Sequence, residues 1–245
     1  MSYIFLTSIV AGLATCLGSF IVICMGRPAE KTFSLLFGLA GGIMLAVVVM
    51  DLIPSSLAYG SIKQALTGFS FGIMLMVSLD ILLDHIYRPL TALPGAGKKR
   101  LVKMGYLIAI GIALHDLPEG FAIAAGYSAK NKLGLVIATA IGLHNIPEGM
   151  ATAVPLRMSG VSGKKILAIN LLVSLFTPLG TYMGLLLVNI SPGLIASLLS
   201  LAAGAMTYIV KNEILPESRK KHPNFSTLGA MAGFLLIFAL DFLHV

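Results

Sequence analysis

Apolar residues run through this chain in long blocks separated by short polar breaks. A block of roughly 20 apolar residues crosses about 30 Å of hydrocarbon as an α-helix, and such spans read off at about 3–25, 33–55, 64–87, 102–127, 132–156, 164–189, 193–214 and 225–244. The expectation is an all-α, polytopic membrane protein with eight transmembrane helices, residues 1–245 forming a single transmembrane domain with almost nothing left over for a soluble one. The first span opens on Met1-Ser2-Tyr3 without a basic leader or a small-residue cleavage site, and so reads as a retained helix.

Composition agrees: 57% apolar and 11% charged residues, with a mean hydropathy of +0.95, leave too little polar surface for a soluble globule. A formal charge of +7 raises nucleic acid as a partner, but the basic residues alternate by loop. Arg27 and Lys31, then Arg88, Lys98, Lys99, Arg100 and Lys103, then Arg157, Lys164 and Lys165, then Arg219, Lys220 and Lys221 follow odd-numbered spans, whereas Lys63, Lys130 and Lys132 follow even-numbered ones. By the positive-inside rule the basic loops face the cytoplasm, which puts the protein in the plasma (cytoplasmic) membrane with both termini outside. The charge is thus a topology signal with lipid headgroups as its partner, and no aromatic-interleaved basic patch points to nucleic acid. Cys16 and Cys24, about 12 Å apart along one helix, are too distant for a disulfide and read as small apolar fillers.

The chain also repeats itself. Leu39-Ala40-Gly41-Gly42-Ile43-Met44 through Asp51-Leu52-Ile53-Pro54-Ser55-Ser56 matches Leu201-Ala202-Ala203-Gly204-Ala205-Met206 through Glu213-Ile214-Leu215-Pro216-Glu217-Ser218, acid and proline in register. Spans two and seven are related but run oppositely, which predicts inverted three-helix repeats around a central pair formed by spans four and five, a plan that places an ion site near midplane. Gly38, Gly41 and Gly42 fit either a homodimer contact or packing within the chain.

Chemistry concentrates in that central pair. His115-Asp116-Leu117-Pro118-Glu119-Gly120 and His144-Asn145-Ile146-Pro147-Glu148-Gly149 repeat one phrase in two apolar spans. Ionisable groups at bilayer depth cost several kcal/mol and mark ion or proton paths. His and Glu four apart share a helix face, so each helix supplies half a site; His115 and His144 fall roughly 16 and 18 Å into the bilayer. Pro118 and Pro147 donate no backbone hydrogen bond, which leaves the carbonyls of Leu114 and Leu143 free, and Gly120 and Gly149 permit close backbone approach. Imidazole and carboxylate without thiolate suit Zn(II), Fe(II), Mn(II), Co(II) or Cd(II) as transported substrate, with no organic cofactor, and disfavour Cu(I).

These paired phrases, within eight spans and with both termini outside, resemble the ZIP (Zrt/Irt-like) divalent metal transporters, closest to their bacterial zinc-uptake and GufA-like branch. The resemblance implies uptake of metal, most often Zn(II), by a protein that is not an enzyme, through a binuclear centre served by an elevator-like movement or a channel-like route. It implies primary ligands at His115, Glu119, His144 and Glu148, and ligands to a second metal at Asp116, Asn145 and the shared glutamates. The chain departs from the pattern in having Asp116 where asparagine is usual, Thr177 where many members carry a carboxylate, and a short basic run from Pro94 to Lys103 where others have a histidine-rich loop.

Further polar residues fall where a path needs them: Asp80, Asp84 and His85 at the cytoplasmic end of span three, Asn212 and Glu213 near that end of span seven, and Asp51 and Asp241 toward the outer ends of spans two and eight. For the acids a snorkelling or helix-end role is an equal alternative. Asn170, Ser174 and Thr177 form one stripe of span six, lining a cavity or joining helices. Two competing functions share these features: an intramembrane metal-dependent hydrolase, against which the lack of His-Glu-x-x-His speaks, and a proton or cation channel.

Overall fold

The structure, a computed structural model, describes residues 2–26, 28–91, 96–129, 131–186 and 192–244, with the side chains of 2, 86–91, 96, 125, 128–129, 131–133, 192 and 240–244 not described. Arg27, Pro94 and Lys130, and the side chains of Arg88, Lys132 and Asp241, therefore lie outside the described residues.

Among the described residues the chain forms eight helical rods. Five are single helices: α1 (Ser2–Met25), α4 (Ile62–Thr91), α5 (Ala96–Ala129), α6 (Asn131–Ser159) and α11 (Pro223–His244). The second rod is α2 (Glu30–Val47), a π-helical turn Val48–Leu52 and α3 (Ile53–Tyr59); the seventh is α9 (Pro192–Ile209), a π-helical turn Val210–Ile214 and α10 (Leu215–Lys221). The sixth breaks at Leu175 into α7 (Gly163–Ser174) and α8 (Phe176–Leu186). Tyr3–Met25, Glu30–Tyr59, Ile62–His85, Gly97–Ala124, Gly163–Leu186 and Gly193–Lys221 are long and apolar enough to cross a membrane, and Pro223–Ala239 is a shorter apolar helix. α6 has the length, but His144, Asn145 and Glu148 dilute its apolar run. The molecule is an all-α, polytopic membrane protein.

The prolines explain the π turns. Pro54 and Pro216 lack a backbone N–H, so the helical ladder must reset just before them. It does so by widening one turn, the N–H of Ile53 donating to the carbonyl of Val48 and that of Leu215 to Val210. Each widened turn carries an acid, Asp51 or Glu213.

Packing follows the internal repeat. α2 packs on α11 as α9 packs on α4, and α1 packs on α6 as the α7–α8 rod packs on α5, with α5 and α6 against each other at the centre. Exchanging rods one, two, three and four with six, seven, eight and five leaves this pattern unchanged. Even single bonds obey it: the Ser56 hydroxyl donates to the Ala196 carbonyl at 2.8 Å, and its counterpart Ser218 donates to the Ser34 carbonyl at 2.7 Å. Because the members of each equivalent pair lie an odd number of rods apart, they run in opposite directions and the repeats are inverted. Gly38 and Gly42 face the backbone of Ser226 and Ala230 on α11, and Gly41 faces Ile214 and Leu215, so these glycines serve packing within the chain.

Two groups of helices result. α2, α3, α4, α9, α10 and α11 pack chiefly among themselves, as do α1, α5, α6, α7 and α8, with α5 lying on α4 and α9 at the seam.

Candidate metal centre

α5 and α6 run without a break through Pro118 and Pro147. What lets them carry polar groups at depth is close contact behind the motifs. A Cβ on Gly120 would strike the Thr177 carbonyl on α8, and one on Gly149 the Thr15 carbonyl on α1. The missing side chains bring α8 and α1 against the back of α5 and α6, so His115, Asp116, Glu119, His144, Asn145 and Glu148 are all buried, none more than 8% exposed.

Glu119 stands between the two imidazoles. Its Oε1 lies 2.5 Å from His144 Nε2 and 2.8 Å from His115 Nε2, the second contact lacking the alignment of a hydrogen bond. Glu148 Oε1 lies 3.6 Å from His115 Nε2. One donor atom each from His115, His144 and Glu148 falls within 4.8 Å of the others, as does one each from His115, Asp116 and Glu119. Two donors about 2.1 Å from one zinc ion sit at most roughly 4.2 Å apart, so small side-chain motions close either set on a cation.

The clearest chemical sign is the unmet demand for positive charge. Both oxygens of Asp116, both of Glu148 and Oε2 of Glu119 are buried without a hydrogen-bond partner. Buried carboxylate oxygens without hydrogen bonds are costly, and a divalent cation among them would lower that cost more than the nearby imidazoles alone. Asn145 behaves differently: its amide donates to the Ala11 carbonyl at 3.0 Å, tying α6 to α1 and leaving Oδ1 unpartnered. Thr177 lies beside Asp116 with its own hydroxyl unpartnered. Asn170 and Ser174, from the same stripe, turn their polar groups back on their own helix, bonding Ile166 and Leu171 carbonyls.

A cavity of about 220 Å³ reaches the centre from one side, with Glu119 and His144 at its base and Asp51, Ser55 and Leu199 among its walls. Asp51, on the π turn, thus stands on the approach to the site.

On the opposite side an ionic network joins the two helix groups. Lys103 Nζ lies 2.5 Å from both Asp80 Oδ1 and Asp84 Oδ1, the Tyr208 hydroxyl donates to Asp80 Oδ2 at 2.7 Å, and Arg100 donates to Glu217 Oε2 at 2.6 Å. Glu213 is within electrostatic reach of Asp80, Lys103, Arg100 and Glu217. Asn212 is exposed and bonds only back to the Tyr208 carbonyl, and His85 is exposed outside this network. Sequence reading missed Lys103, Arg100, Tyr208 and Glu217 here. The signal was an acid pair four apart on one helix facing a basic pair three apart on the next.

A buried, two-helix His/carboxylate centre inside an inverted-repeat membrane fold, with an open approach on one side, defines a membrane transporter for cations. The profile of the ZIP Zinc transporter family matches residues 93–241. The chain is 33% identical to the zinc transporter ZupT of Chlorobium phaeovibrioides, covering 97% of this chain and 96% of that one. It is 31% identical to those of Corynebacterium aurimucosum, over 97% and 95%, and Escherichia coli O7:K1, over 95% and 93%. The chain belongs to the ZIP family, whose members are transporters and not enzymes.

Proposed function

We propose that this protein, acting as one transmembrane domain over residues 1–245, carries Zn(II) into the cytoplasm through the centre between α5 and α6. The observation that carries this is Glu119 Oε1 set between two imidazoles, with the carboxylates of Asp116 and Glu148 beside it and unpartnered. His115, Glu119, His144 and Glu148 are the primary ligands; Asp116 adds charge and the free Oδ1 of Asn145 a neutral donor. The same donors accept Fe(II), Mn(II), Co(II) and Cd(II), and geometry and supply decide among them. The relatives' description as zinc transporters supports Zn(II) as the principal cargo.

The distribution of Lys and Arg supports basic loops in the cytoplasm and termini outside the plasma membrane. In that orientation the cavity at Asp51 opens outward, and the ion passes from Asp51 to the centre and on toward Asp80, Asp84 and Glu213.

The test is Zn(II) influx into proteoliposomes loaded with a fluorescent chelator, comparing the wild type with a Glu119→Ala, Glu148→Ala double variant that purifies folded. Saturable influx lost in the variant is the expected result. Absence of influx in the wild type across several divalent metals and both directions of a pH gradient overturns the proposal.

A further inference from the structure

In the ionic network opposite the cavity, the bridges that join the two helix groups are divided by sign. Among the described residues its carboxylates belong to one group: Asp80 and Asp84 on α4, Glu213 on the π turn and Glu217 on α10, where Lys220 also lies 3.7 Å from Glu217 Oε2. Both bridging cations, Arg100 and Lys103, belong to α5 in the other. Lys103 and Asp80 are largely withdrawn from water, their side chains 14% and 22% exposed, whereas Asp84 and Arg100 are 67% and 53% exposed, so the Lys103–Asp80 contact is the least screened of the set. The helix face that carries Lys103 continues through Leu107, which is fully buried, to Gly111, whose Cβ would strike Ile209 on α9 and meet Met76 on α4. Lys103 therefore stands at the end of this packed face, on the side opposite the cavity.

We propose that Lys103 is a tethered cation that seals this end of the ion path by occupying the carboxylates of Asp80 and Asp84, and that it withdraws when the path opens there, baring those acids to the departing metal. This rests on reading those acids as the inner end of the path. Opposite charges on the two groups meet only while α5 keeps its present register on α4; a slide of about one helical turn, roughly 5.4 Å, carries the ammonium away. An ion pair made in one state and absent in the other biases the equilibrium toward the first. The arrangement seals the seam and also makes the metal a successor to the lysine: Asp80 and Asp84 without the ammonium between them attract a divalent ion more strongly than the closed network does.

The experiment replaces Cys16 and Cys24 by serine, places a single reporter by Leu107→Cys, and measures its reaction with a membrane-impermeant maleimide in lipid nanodiscs. Lys103→Met is expected to speed labelling by roughly three- to tenfold, the shift that loss of a half-buried ionic contact gives a two-state equilibrium. Lys103→Arg, which keeps the charge, should stay near the parent rate. The double variant Asp80→Asn, Asp84→Asn removes the partners instead of the lysine and should reproduce the increase, so the proposal stays testable if Lys103→Met does not fold. Retained thermal stabilisation by Zn(II) shows that the variants keep the centre. Unchanged labelling in the folded variants overturns the proposal, as does an equal increase in Lys103→Arg. Labelling requires no transport: a charge-dependent seal in a protein that moves no zinc would sink only the transport reading, and intact influx with unchanged labelling only the seal.

Discussion

Glu119 Oε1 lies 2.5 Å from His144 Nε2, joining a carboxylate of α5 to an imidazole of α6 across the centre of the bundle. One oxygen is thus committed to the other helix, while Oε2 has no partner. A residue so placed joins the two halves of the proposed centre, and its removal is expected to harm metal binding more than loss of one ordinary ligand.

Glu119→Gln keeps the size but removes the charge and turns one carboxylate oxygen into an amide nitrogen, a donor that repels a cation. Zn(II) affinity measured by competition with a chelator is expected to fall by at least about a hundredfold, since a buried charge-bearing ligand contributes several kcal/mol. Asn145→Ala, which leaves all four primary ligands in place, should cost about tenfold or less and mainly lower stability through the lost bond to Ala11. An equal loss in the two variants would remove the distinction between bridging ligand and helix tie.

Proton competition sets the pH dependence. The donors must be unprotonated to hold metal, and imidazoles ordinarily titrate near 6.5 and carboxylates near 4. Lowering the pH from about 7.5 to about 5.5 therefore adds protons to metal-free ligands and weakens apparent affinity, by up to about tenfold per pH unit for each proton displaced. Calorimetry in buffers of different ionisation enthalpy should show proton release on Zn(II) binding; flat affinity over that interval with no release would contradict a His/carboxylate centre.

Gly149 and Gly120 should be the least replaceable glycines near the site. Alanine at either drives a methyl group into a carbonyl of a neighbouring helix, Thr15 or Thr177, and backbone gives way less readily than a side chain. Overpacking of this kind costs about 1–3 kcal/mol, and in a membrane it also separates helices held by small-residue contact. Thermal unfolding in detergent should show a lower midpoint for Gly149→Ala and Gly120→Ala, whereas Gly97→Ala, with nothing within 4 Å of its Cβ, should melt like the parent. Similar melting of all three would mean that the close approach does not bear on stability.

The helices and the inverted repeat were legible because the bilayer imposes length and apolarity directly on sequence, and because Asp51-x-x-Pro54 and Glu213-x-x-Pro216 align without gaps. The site phrases were legible for the same reason: a His or Glu at bilayer depth stands out against its surroundings. Partnerships across rods were not. Lys103 counted at first as one more cytoplasmic charge, since sequence shows the sign and side of a residue but not which helix it faces; the structure seats it between Asp80 and Asp84. The π turns were hidden likewise. Pro54 and Pro216 predict a disturbed ladder, but whether it bends, breaks or widens depends on the neighbouring backbone. Pro178 is followed back to a break at Leu175, and Pro118 and Pro147 to none.

The Thr177 hydroxyl is buried and unpartnered beside Asp116, where a longer acidic side chain would add a further carboxylate to the centre. With three carboxylates at the centre, a single divalent ion balances two charges and leaves the remainder to a proton or an imidazolium, whereas a fourth carboxylate would favour a second divalent ion. Thr177→Glu should therefore raise the stoichiometry at the centre from one Zn(II) to two, and the second ion should be lost again when Asp116→Asn is added. Elemental analysis of the purified protein after equilibrium dialysis against Zn(II) reads the count directly. A wild type that already holds two ions there would show that Asp116 alone replaces the missing carboxylate, and an unchanged count in a folded Thr177→Glu variant would show that position 177 does not face the metal.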